Sequence, residues 1–139
     1  ARMEEKSRAK PLRITLALKL LSSFYLRQQR HAEAETVFRR CLPIQEEEQL
    51  DSWGTANMQS HLGASLLGQK KFPEAEVFLL KGYEGLKEHE DQIPRDRRDS
   101  IQKALERLVA LYTTWGKQAE ADEWKARLET FERSKRAVQ

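Results

Sequence analysis

The apolar residues of this chain recur at helical spacing. Leu12, Leu16, Leu18, Leu20, Leu21, Phe24 and Tyr25 follow Pro11, a residue tolerated in a first helical turn, and they predict a helix ending between Gln28 and Arg30. A second helix is expected from His31 or Ala32 to about Gln49, with Ala34, Val37, Phe38, Cys41, Leu42 and Ile44 turned inward. Pro43 lacks a backbone donor and crowds the preceding turn, so it predicts a kink or an early end near Leu42. Asp51 or Ser52 supplies a side-chain oxygen to cap a third helix, which carries Trp53, Met58, Leu62 and Leu66 to about Gly68. The fourth, from Pro73 to about Glu90, places Ala75, Phe78, Leu79, Gly82, Tyr83 and Leu86 on one side. Pro94 opens a fifth, with Ile101, Ala104, Leu105, Leu108, Val109 and Tyr112, that stops at Gly116, and the sixth covers roughly Gln118 to Ser134. No stretch alternates β-branched or aromatic residues with polar ones, so the fold class is all-α, with six helices in three pairs.

The pairs repeat one another. Leu21, Leu62 and Leu108 each stand in the first helix of a pair, and thirteen residues after each comes an alanine, Ala34, Ala75 and Ala121. Three residues before the leucine are Leu18, Gln59 and Leu105; four after it are Tyr25, Leu66 and Tyr112; four after the alanine are Phe38, Leu79 and Lys125. A methyl side chain at the closest approach of two antiparallel helices lets their backbones come near, while larger side chains fill the space on either side.

This pattern resembles the tetratricopeptide repeat, over about residues 12 to 134. It is fullest where His61-Leu62-Gly63-Ala64-Ser65-Leu66 leads through Phe72-Pro73-Glu74 to Ala75-Glu76, and Arg30-His31-Ala32-Glu33-Ala34-Glu35 is similar. The resemblance implies an α-α superhelix of three helix pairs, a single domain spanning residues 1–139 with repeats at about 12–50, 52–92 and 94–134. In the third unit Val109 stands where a small residue is expected and Lys125 where an aromatic is expected, with Trp124 beside it to fill that space. Ala34 to Ala75 is 41 residues and Ala75 to Ala121 is 46, against ~34 for the standard unit. Such lengths are similar to kinesin-light-chain-like repeats and to the arrays carried by some bacterial serine/threonine kinases. The chain has neither a Gly-rich phosphate loop nor the Asp and Asn of a kinase catalytic loop in order, so a kinase domain, where attached, is expected upstream. Residues 1–10 read as the tail of a preceding unit.

Family resemblance further implies a non-catalytic module that binds a protein or peptide segment in a concave groove lined by the first helices. The residues expected to face it are Leu16, Lys19, Ser23 and Leu26, then Asn57, Ser60, Ala64 and Leu67, then Lys103, Glu106, Ala110 and Thr113. The family's carboxylate-clamp version wants Lys with Asn at fixed sites in successive repeats; here Lys19 is followed by Ser23 rather than Asn, and a generic peptide groove is the better expectation.

Composition narrows the rest. The chain has 139 residues, 34% of them charged, and a net charge of +3. Its mean hydropathy is −0.78. Basic residues cluster at Arg2, Lys6, Arg8, Lys10, Arg13 and at Arg95, Arg97, Arg98, but Glu4, Glu5, Asp96 and Asp99 interrupt both runs. A continuous phosphate-tracking stripe is therefore not expected, and RNA binding is the alternative reading rather than the first. One cysteine, Cys41, excludes an internal disulfide, and no apolar run has the length of a membrane span, so a reducing, cytoplasmic setting is expected. His31, His61 and His89 have no His or Cys neighbours at metal-ligand spacing, so no metal or other cofactor is expected. Glu46, Glu47 and Glu48 read as an exposed helix end, and Cys41 as a small buried hydrophobe. Trp53, if open to solvent, is a natural anchor for a partner. Open ends also leave self-association available to such an array.

Overall fold

The computed structural model describes residues 16–48 and 52–138. Helix α1 covers residues 16–27, α2 His31–Glu48, α3 Ser52–Gly68, α4 Phe72–Glu88, α5 Ser100–Trp115 and α6 Gln118–Val138. Among the described residues there is no strand. The helices pair in sequence, α3 with α4 and α5 with α6, while Phe38 of α2 meets residues of α1, and α3 and α5 each pack on the second helix of the pair before. The molecule is an all-α solenoid of stacked hairpins.

One turn is made three times. Gln29, Lys70 and Gly116 each stand eight residues after the anchoring leucine and adopt left-handed backbone, with φ of 57°, 61° and 82°. The following amide then reaches back across the end of the first helix: Arg30 N–H to the Tyr25 carbonyl at 2.9 Å, Lys71 to Leu66 at 3.0 Å, Lys117 to Tyr112 at 2.8 Å. This is the six-residue closure that satisfies the last carbonyls of a helix and reverses the chain. The same turn residues accept from Ala34, Ala75 and Ala121, whose amides bond the carbonyls of Arg30, Lys71 and Lys117 at 3.0, 2.9 and 3.0 Å. The alanines therefore sit in the first turn of each second helix, fully buried against the partner. Around them Leu62, Leu66, Leu79, Leu86, Leu105, Leu108 and Leu111 form one continuous core.

Four sequence expectations are corrected by the structure. Pro43 neither ends nor shortens α2, which continues to Glu48; the proline lies on the exposed side of the helix, where its ring does not have to fit the core. Pro94 does not open α5. Residues 90–97 form two short 3-10 turns, and the helix starts at Ser100, because Ile93 is tucked into the core and the chain must travel further to reach the next pair. Helix α4 begins at Phe72 and ends at Glu88, and α6 runs on to Val138, its last turns held by Glu-to-Arg pairs at helical spacing. The expected start at Pro11 and the cap at Asp51 lie outside the described residues.

Helices α3 and α4 approach one another closely at Gly82. A β-carbon on Gly82 would stand 2.7 Å from the Ser60 amide nitrogen and 2.9 Å from the Ala56 carbonyl oxygen, both backbone atoms that cannot step aside. Alanine usually improves a helix interior over glycine by ~1 kcal/mol. Here overpacking should outweigh that gain, and Gly82→Ala is expected to destabilise the protein by about 1–2 kcal/mol, read as a lower urea midpoint.

Candidate functional site

Inside the stack, α1 and α3 stand side by side with the start of α5 beyond them. Between α1 and α3 lies an open groove of about 180 Å3. Leu16, Lys19, Leu20 and Ser23 of α1 form one wall, and Trp53, Asn57, Met58 and His61 of α3 form the other. Phe38 of α2 closes the floor, and Arg97 reaches in from the segment before α5. Four of the twelve predicted contact residues, Leu16, Lys19, Ser23 and Asn57, thus share one surface.

The other eight fall elsewhere. Leu26 and Leu67 are half-buried against the core, and Ala64 is half-buried on α3. Ser60 is fully buried, so it does not face the groove; its hydroxyl accepts a bond from Arg107 at 3.0 Å. Lys103, Glu106, Ala110 and Thr113 are exposed on α5 outside the groove walls, with Lys103 paired to Asp99 at 3.0 Å and Glu106 accepting from Gln102 at 3.2 Å. The longer spacing before the third pair moves α5 away from the register of a uniform repeat.

Electrostatically the groove is one-sided. Among the described residues no carboxylate lines it, while Lys19 and Arg97 do. His61 packs edge-on against Phe38, ring centres 5.7 Å apart. Burial, reinforced by Arg107, Lys103 and Arg97, pushes its imidazole down to about 3, so it stays neutral at physiological pH. Burial also lowers Arg107 to about 10, which leaves it charged; it has no ion-pair partner among the described residues. Sequence reasoning missed Phe38, His61 and Arg97 as wall residues. Arg97 could not have been found by helix register, because it lies in the 3-10 segment, whereas Phe38 was legible only as core.

On the side where the left-handed turns lie, successive pairs are tied by polar side chains one residue after the repeat alanines. Glu35 accepts from Arg39 at 2.7 Å, from Gln69 at 2.8 Å and from Lys71 at 3.0 Å. Glu76, its counterpart, accepts from the Tyr112 hydroxyl at 2.7 Å. The groove thus sits on a scaffold whose repeat-to-repeat angle is fixed from the opposite edge.

Cys41 is buried, and burial pushes its thiol up, away from the reactive thiolate. No group of three His, Cys, Asp or Glu side chains among the described residues is placed to hold a metal, and no described helix is long and apolar enough to cross a membrane. Trp53 is half-buried in the groove wall rather than fully open.

Stacked hairpins with a groove along their first helices define a helical-repeat protein. The chain matches the tetratricopeptide repeat over residues 13–88, more than half its length, and it belongs to that family. No curated protein and no solved structure matches it. Tetratricopeptide repeats generally mediate protein–protein interaction.

Burial works to raise the Glu35 carboxyl, but the hydrogen bonds from Arg39, Gln69 and Lys71 prevail and hold it at about 2, below its ordinary 4.5. A depressed folded-state value contributes stability that is present above 4.5 and is lost as pH falls toward 2. Glu35→Gln is therefore expected to cost about 1–2 kcal/mol at neutral pH. In urea titrations at successive pH values, its deficit from wild type should shrink as pH falls from 4.5 and vanish only once pH has passed below the folded value of about 2.

Proposed function

We propose that the groove between α1 and α3 holds a segment of another protein, acidic in character, and that the chain acts as a non-catalytic interaction module. The observation that carries this reading is the wall composition: apolar Leu16, Trp53 and Met58 alternate with Lys19, Asn57 and Arg97, and no described carboxylate lines the wall. Apolar contacts supply affinity to an extended segment, and cations aimed into a partly desolvated cleft select carboxylates over ammonium groups. Arg107 adds a further positive charge toward α5, bonded to Ser60 beneath the groove. The 41- and 46-residue repeat spacing favours kinship with the long-repeat branch of the family, of the kinesin-light-chain-like kind.

Selection of a random peptide-display library on the immobilised chain tests the reading. Acidic sequences should be enriched, and the double variant Lys19→Glu/Arg97→Glu should weaken their capture at least tenfold with unchanged helical circular dichroism. Enrichment without acidic bias, or capture indifferent to the double variant, overturns the assignment.

A further inference from the structure

The exposed face of α1 continues beyond the groove, which it meets along Leu16 and Leu20, to Leu21 and Phe24. Leu16, Leu20, Leu21 and Phe24 are between 41% and 66% exposed. Their spacing puts them on one stripe of the helix. The repeat identifies what such a stripe contacts. Leu20, Leu21 and Phe24 correspond to His61, Leu62 and Ser65 on α3 and to Arg107, Leu108 and Leu111 on α5. Leu62, Ser65, Leu108 and Leu111 are all buried, and His61 rests on Phe38 of α2. In both later pairs, that is, the second helix of the preceding pair lies over the first helix.

We propose that the α1 stripe is a docking surface for a partner helix of acidic, amphipathic character, laid across α1 as α2 is laid across α3. Charge complementarity favours this occupant: Arg27 continues the stripe seven residues after Leu20, residues 16–27 include no acid, and the two helices that cover equivalent faces carry more acids than bases. The fit asks for a small residue followed by large apolar ones four, eight and eleven positions later, as in Ala75, Leu79, Tyr83 and Leu86 of α4.

A second copy of this chain fits less well in either arrangement. On α6 those positions are Lys125, Glu129 and Glu132, charged where the fit asks for large apolar side chains. Two α1 stripes facing each other would oppose like charges. Their patch is also of the few-hundred-Å2 size common on monomers, short of the ~800 Å2 per partner of a stable dimer.

A synthetic peptide with the sequence of residues 72–88 serves as the probe, titrated into the isotope-labelled protein. Saturable amide shifts at Leu16, Leu20, Leu21 and Phe24 are expected. Leu20→Lys/Phe24→Lys should weaken binding at least tenfold with helicity intact, the milder Leu20→Gln by a smaller factor, and Arg97→Glu not at all. Shifts confined to Trp53, Asn57 and Arg97 would assign the peptide to the groove and overturn the proposal. So would the absence of saturable shifts, or a dimer in sedimentation that Leu20→Lys/Phe24→Lys dissociates.

Discussion

Everything in this molecule depends on how near two helices can come at one point in each hairpin. Ala34, Ala75 and Ala121 have no surface left to solvent, and their amides are fixed by the turn just before them. The side chain and the backbone thus solve one problem together. The left-handed residue at Gln29, Lys70 or Gly116 reverses the chain within a few residues, and the methyl group lets the returning helix lie close. A larger residue there would push the pair apart and misplace the first helix that forms the groove wall.

Stacking then follows from what each hairpin leaves uncovered. A two-helix unit cannot bury both sides of its first helix, so the second helix of the preceding pair does it. Polar ties at Glu35 and Glu76 fix the angle between pairs at the turn edge, while Ile93 and the 3-10 turns set it for the third pair at the other. The groove inherits its shape from both. Because the third pair is displaced by its longer connection, the cleft is bounded by α1, α3 and the arginine of that connection, rather than by three first helices in even register.

The sequence carried the all-α class, the number of pairs and the three alanines, since these depend on periodicity and on side-chain size, which a one-dimensional reading captures. Of the twelve residues it pointed to, Leu16, Lys19 and Ser23 on α1 and Asn57 on α3 line the cleft, because helical period alone places them there. It failed where geometry depends on something other than period. A uniform repeat offset put Ser60 in the groove, whereas it is fully buried and its hydroxyl is bonded by Arg107. Pro43 looked like a terminator because its cost was judged without knowing that it faces water. The left-handed turns went unnoticed because two of the three residues that make them, Gln29 and Lys70, are not glycines.

The interlock at Gly82 bears on how the chain reaches this state. Helices α3 and α4 meet there with a glycine against backbone atoms, across a separation in sequence of only about twenty residues. Such an element closes a short loop and gains dense packing at once, a combination that favours early formation in the transition state. The central hairpin is thus suited to be the nucleus onto which the outer two condense. Its neighbours, each joined to it along one side, are the units free to open and reclose while the middle stays formed.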